Sequence, residues 1–143
     1  MGKVNVLLVD DEVPFVEALT KRLTRRDLQI TAAHDGSQAL EALSKDRMLE
    51  VVVLDVKMPG MDGIQAMREI KALYPLVEVI MLTGHATVES AIEGMKLGAF
   101  DYLMKPCDID DLVSKVEDAA ARKAVQEEKI LQARIKEITQ RGR

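Results

Sequence analysis

The chain has 143 residues, a length that suits one domain with a full hydrophobic core. It is 48% hydrophobic and 31% charged, which is typical of globular proteins and excludes a disordered chain. The net charge of −4 and the 3% aromatic content argue against direct nucleic-acid binding, and no apolar run approaches the roughly 20 residues that span a membrane.

Strands and helices are predicted to alternate along the chain. Apolar and β-branched runs indicate strands over residues 4–9, 29–33, 51–54, 77–82 and 100–104. A helical pattern follows each of them after a short link. This order predicts a parallel sheet with helices on both faces and right-handed crossovers.

Apolar residues at helical spacing mark the face of each helix that is expected to be buried. They are Val16, Leu19 and Leu23 in the first helix, Ala39, Leu40 and Leu43 in the second, Ile64, Met67, Ile70 and Leu73 in the third, and Ile92 and Met95 in the fourth.

The third strand, Val51–Leu54, is the clearest of the five. Its four consecutive apolar residues indicate burial on both faces, as in a parallel sheet. Asp55 follows directly and is therefore expected at the carboxyl edge of the sheet, where such folds place their sites. By itself, Asp55 could equally be a polar residue that ends a strand.

The last helix is predicted to continue beyond the core, because no glycine or proline occurs between residues 116 and 138. Its i,i+4 pairs are Asp118 with Arg122 and Glu137 with Arg141. A short coiled-coil spacing joins Leu131, Ile135 and Ile138, although Glu128 interrupts it. This segment is interpreted as a dimerising helix or a linker to another domain, or else as a solvated, frayed tail.

The other strand ends carry groups that suit phosphate chemistry. Asp10 and Asp11 follow the first strand, Thr83 ends the fourth, and Lys105 follows the fifth. Three carboxylates at one edge repel each other unless a cation binds, and Mg²⁺ prefers oxygen ligands of this kind. With a lysine, a hydroxyl and one carboxylate as nucleophile, the set predicts a phosphoryl-transfer site.

The motifs Asp10-Asp11, residues 55–63 (DVKMPGMDG), Thr83-Gly84 and Lys105-Pro106 resemble the receiver domain of two-component response regulators, particularly receivers of nitrogen-regulatory transcription factors. The resemblance implies the flavodoxin-like, doubly wound (βα)5 fold with strand order 2-1-3-4-5. It covers a receiver domain over residues 1–118, and residues 119–143 would be an extension of the fifth helix.

The resemblance also implies roles for the site residues. Asp55 would accept a phosphoryl group from a sensor histidine kinase or a phosphotransfer protein. Asp11, Asp55 and the backbone carbonyl of Lys57 would bind Mg²⁺ directly, with Mn²⁺ as a second candidate ion. Asp10 would act on the metal through water, and Lys105 would pair with the phosphoryl oxygens.

Further residues would form the switch that reads phosphorylation. Thr83 would move to bond the phosphoryl group, and Tyr102 would turn inward after it. The face of helix four, strand five and helix five would change and could mediate a homodimer. Pro106 matches the proline that follows the lysine in this family, where the bond is expected to be cis. Lys57 and His85 flank the site and are expected to tune its hydrolysis.

Two other functions use related chemistry. An aspartyl phosphatase of the haloacid-dehalogenase type needs a second Asp two residues after the nucleophile, but Lys57 stands there. A flavin or nucleotide binder needs a Gly- or Ser-rich loop where Asp10, Asp11 and Glu12 occur. The expectation is therefore a phosphoacceptor switch and not an enzyme with a diffusing substrate. The single Cys107 and the absence of a recognisable signal peptide favour the cytoplasm.

Overall fold

Five parallel strands form one sheet at the centre of the molecule. A computed structural model describes residues 3–142 and arranges the strands in the order β2-β1-β3-β4-β5, so the expected topology is confirmed. Residues 1 and 2, which begin the predicted receiver domain, and residue 143, which ends the predicted extension, lie outside the described residues. The strands are β1 Val4–Val9, β2 Leu28–Ala33, β3 Val51–Leu54, β4 Glu78–Thr83 and β5 Asp101–Met104.

A helix follows each strand, and the helices cover both faces of the sheet. They are α1 Val13–Thr24, α2 Gly36–Lys45, α3 Gly63–Leu73, α4 Val88–Lys96 and α5 Ile109–Arg141. Within residues 3–142, no helix combines the length and the apolar character that crossing a membrane requires.

The core has two layers because successive strand residues point to opposite faces. In β3, Val51 and Val53 pack with α1 and α5, whereas Val52 and Leu54 pack with α2 and α3. All four are at most 1% exposed. This double burial explains the unbroken apolar run and places Asp55 at the rim of a rigid element.

Side-chain caps set where four of the helices begin. Asp35, Asp62, Thr87 and Asp108 each accept a hydrogen bond from a backbone N–H in the first turn of α2, α3, α4 and α5. These caps satisfy donors that have no partner inside the helix. Gly98 ends α4 with a φ of 102°, a left-handed conformation that favours glycine.

Two expectations about buried helix faces were wrong. Leu73 is 64% exposed. The predicted residues of α3 are each three apart, and on a helix of 3.6 residues per turn each such step falls about 60° short of a full turn. Successive steps therefore carry Leu73 away from the buried face. In α4, Ile92 and Met95 are 51% and 47% exposed, and Gly94 is the buried residue. The face of α4 that meets the sheet is built from small residues, which an apolar periodicity does not reveal.

The fifth helix leaves the core after its third turn. Ala119 is its last buried residue, and residues 124–142 are exposed. The expected pair of Glu137 with Arg141 forms, but Arg122 pairs with Glu78 of β4 and not with Asp118. Glu78 is buried, so the stronger electrostatic partner for Arg122 lies across the fold and not along the helix.

Candidate functional site

Backbone hydrogen bonds between neighbouring strands place the strand-end residues at one edge of the sheet. The N–H of Asp55 donates to the carbonyl of Val9 at 3.0 Å, and the N–H of Lys105 donates to the carbonyl of Thr83 at 2.9 Å. The N–H of Asp10 donates to Ala33 of β2 at 3.1 Å. The ladder therefore brings the strand-end residues to one edge of the sheet, where the sequence predicted them.

The three aspartates converge at this edge. Asp10 and Asp55 are 1% and 2% exposed, whereas Asp11 is open to solvent. One carboxylate oxygen from each lies within 4.8 Å of the others. The buried Oδ1 of Asp55 has no hydrogen-bond partner among residues 3–142. A buried, unpaired carboxylate oxygen beside two further carboxylates fits a hard divalent cation.

Lys105 places a cationic group among the aspartates. Its Nζ lies 2.6 Å from Asp10 Oδ2 and 4.0 Å from Asp55 Oδ2, and it also contacts Glu12 at 3.2 Å. The ammonium sits 3.9 Å from the centre of the Phe15 ring. Neither Glu12 nor Phe15 was predicted as a partner of Lys105, since both lie in α1 or its approach and carry no motif of their own.

Burial and ion pairing act in opposite directions on these groups. Burial raises the pKa of Asp10, and the hydrogen bond from Lys105 only partly offsets this. For Lys105, burial lowers the pKa, but the hydrogen bond to Asp10 and the nearby carboxylates outweigh it, so its pKa is raised. Lys105 is therefore firmly cationic, whereas burial disfavours the ionised form of Asp10.

The hydroxyl of Thr83 lies on a short path to α4. The side chain of Thr83 is fully buried, and its Oγ1 accepts a hydrogen bond from the N–H of His85 at 3.0 Å. Tyr102 is half-buried on β5, and its hydroxyl lies 2.6 Å from Ser90 Oγ on α4. Ser90 was not predicted from the sequence, because only the packing of α4 against β5 reveals this contact.

The flanking residues line an open cleft over the acidic cluster. Lys57 and His85 share its wall with Asp11, Asp55 and Glu12. The structure therefore brings both expected tuning residues to the site. Pro106 follows Lys105 through a cis peptide bond, as the resemblance implied, and is exposed.

The family model described as "Response regulator receiver domain" matches residues 6–117. The transcriptional regulatory protein ZraR of Escherichia coli (strain K12) is 39% identical over 118 residues, which are 82% of this chain and 26% of ZraR. The DNA-binding transcriptional regulator NtrC of the same strain is 39% identical over 114 residues, which are 80% of this chain and 24% of NtrC.

A solved receiver domain has the same fold. The response regulator receiver domain protein of Clostridium thermocellum superposes with a TM-score of 0.82 at 33% identity, covering 86% of this chain and 98% of that one. The chain spans about a quarter of the length of the curated relatives that it matches. The matched residues contain all four strand ends that form the site, and the chain belongs to the family of response regulator receiver domains.

Proposed function

We propose that Asp55 is the phosphoacceptor of a phosphorylation-activated switch. The observation that carries this proposal is the buried Asp55 carboxylate, whose Oδ1 is unpaired beside Asp10, Asp11 and Lys105. A carboxylate has two oxygens, so Asp55 can bind a metal ion through one and attack phosphorus with the other. The geometry of the set agrees with the phosphoryl-transfer chemistry expected from the strand ends.

In the proposed transfer, an oxygen of Asp55 attacks the phosphorus of a phosphohistidine on a sensor kinase or phosphotransfer protein. The new O–P bond forms as the P–N bond breaks, and the bonding pair returns to the imidazole. Lys105 lies 4.0 Å from Asp55 and would pair with the phosphoryl oxygens. The hydroxyl of Thr83 would donate to them, while the N–H of His85 stays on its oxygen.

Asp11, Asp55 and the backbone carbonyl of Lys57 would hold Mg²⁺, with Asp10 acting through water. Mn²⁺ is the second candidate. When bound, the ion neutralises charge on the carboxylates and on the incoming phosphoryl oxygens. Lys57 and His85 line the cleft, so they would limit how easily water reaches the acyl phosphate. Lys57 also disfavours a phosphatase of the haloacid-dehalogenase type, because such an enzyme needs an Asp two residues after the nucleophile.

We expect Mg²⁺ to stabilise the folded protein, by about 1.4 kcal/mol at ten times its dissociation constant. The pKa of Asp10 is raised by burial, so folding favours its protonated form. The contribution of Asp10 to the free energy of unfolding of the metal-free protein should then fall as pH rises above the ordinary value of 3.8. Asp10→Asn should raise the unfolding temperature with a chelator present at neutral pH and reduce the gain from Mg²⁺.

Thermal unfolding with and without Mg²⁺ measures both effects. Asp46→Asn is the matched control, because it removes the same charge outside the cluster and an amide oxygen can still accept the N–H of Met48. An equal Mg²⁺ response in Asp10→Asn and wild type would refute the metal assignment.

Asp55→Asn should abolish phosphoryl uptake. Intact mass after incubation with phosphoramidate and Mg²⁺ should show one added phosphoryl group on wild type and none on Asp55→Asn or on wild type with excess chelator. Asp62→Asn, on the same loop, should be labelled like wild type, since asparagine can also cap α3. Labelling of Asp55→Asn at the wild-type level would show that another residue is the acceptor.

We also propose that residues 1–118 form the receiver and that residues 119–143 connect it to an output. Val125, Leu131, Ile135 and Ile138 are 48–66% exposed along this helix, which supports pairing with a second copy. With the face of α4, β5 and α5, this segment would carry the response to a homodimer partner or to a following domain.

A further inference from the structure

The ring of Tyr102 is held against α4 by two features of that helix. Its hydroxyl lies 2.6 Å from Ser90 Oγ. A Cβ built at Gly94 would lie 3.7 Å from Cδ2 of the ring, so the ring packs over the glycine backbone. Ser90 and Gly94 are one turn apart, and together they present a notch that fits an aromatic side chain.

Ser90 also belongs to the N-terminal cap of α4. Its N–H donates to Thr87 Oγ1 at 3.0 Å, and the N–H of Thr87 donates to Ser90 Oγ at 3.2 Å. The hydroxyl of Ser90 donates to the carbonyl of Thr87 at 3.1 Å. The hydroxyl of Thr87 also donates to Ser90 Oγ at 3.0 Å, so this oxygen is shared between the cap and Tyr102, and either hydroxyl can donate in the contact with Tyr102. The tyrosine is therefore hydrogen-bonded to a residue of the cap.

The cap is close to the site in the chain. Three residues, 84–86, separate Thr83 from Thr87, and the N–H of His85 donates to the hydroxyl of Thr83. A movement of Thr83 thus acts on a short loop that ends at the residue to which Ser90 is bonded. Tyr102 lies at the far end of this path, on the neighbouring strand β5.

We propose that Ser90 is a positioning residue for Tyr102. Its hydroxyl holds the ring against α4 and makes the position of the ring depend on the cap of that helix. The consequence is that phosphorylation of Asp55 reaches Tyr102 partly through Ser90, and this consequence rests on the proposed function. Loss of one such hydrogen bond changes the ratio of two ring positions by about two- to twelvefold.

The chain offers a direct readout, because it has two tyrosines and no tryptophan. Tyrosine labelled with ¹³C at the ζ carbon gives two resonances, which Tyr74→Phe assigns. Without any phosphoryl donor, Ser90→Ala should move the Tyr102 resonance and leave that of Tyr74 in place. Ser90→Thr keeps the hydroxyl and should restore the wild-type position of Tyr102.

A second comparison tests whether the hydrogen bond between Ser90 and Tyr102 takes part in the response to phosphorylation. Phosphoramidate and Mg²⁺ should move the Tyr102 resonance of wild type, and the change should be at least halved in Ser90→Ala, with intact mass recorded on the same samples. An unchanged Tyr102 resonance in Ser90→Ala, or an equal shift in Ser90→Thr and Ser90→Ala, would overturn the inference. Absence of the added phosphoryl group would refute the proposed function instead, and the first comparison would still stand.

Discussion

Replacing Gly63 with alanine is expected to lower the free energy of unfolding by about 3 kcal/mol or more. A Cβ at this position would lie 2.0 Å from the carbonyl oxygen of Asp55 and 2.6 Å from Cα of Val56. Both neighbours are backbone atoms, so no rotamer change can relieve the overlap. The N–H of Gly63 also donates to the carbonyl of Val56 at 2.6 Å, which fixes α3 against the end of β3.

The same substitution should damage the site. Relief of the overlap requires either α3 or the backbone of Asp55 to move, and a displaced Asp55 loses its position beside Lys105. Urea unfolding measures the first effect, and the rate of phosphoryl uptake measures the second. Gly84→Ala is the matched control: its Cβ would meet the Lys105 side chain at 3.9 Å, an ordinary contact, and stability should change by less than about 0.5 kcal/mol. Equal stability of Gly63→Ala and wild type would contradict the close packing of α3 on β3.

Arg122→Ala should be the second most damaging of these changes, with a loss of about 2 kcal/mol. Arg122 Nη2 lies 2.9 Å from Glu78 Oε1, Nε bonds the other carboxylate oxygen, and the guanidinium stacks 4.7 Å from the Phe100 ring centre. Removing one partner of a buried ion pair typically costs about 3–5 kcal/mol. The smaller figure applies because Arg122 is half exposed and Lys71 remains 3.7 Å from Glu78.

A double-mutant cycle separates this pair from general effects on α5. If Glu78 and Arg122 interact as described, Glu78→Gln with Arg122→Ala should cost clearly less than the sum of the two single changes. Arg134→Ala is the control for the general effect of replacing an arginine in α5, since Arg134 is exposed on the part of α5 beyond the core. Additive losses in the cycle, or a loss in Arg134→Ala as large as in Arg122→Ala, would show that the ion pair does not anchor the helix.

The strand ends illustrate what could be predicted. Buried parallel strands give unbroken apolar runs, and the first polar residue after each run lies at one edge of the sheet. Asp10, Asp55, Thr83 and Lys105 could therefore be placed together before any coordinates were known, and the structure brings them together. The path from Thr83 to Tyr102 could not be found in this way, because Ser90 has no pattern that distinguishes it from any other serine near a helix start.

The sequence by itself determined the order of strands and helices, the edge at which the site forms and the family, since these depend on local periodicity and on motifs at strand ends. Only the tertiary structure decided that Gly94 and not Ile92 faces the sheet, that Gly63 touches the backbone of Asp55, and that Arg122 reaches Glu78, 44 residues away. The physical reason is that close approach and ion pairing depend on distances between segments remote in the chain, which no periodicity encodes.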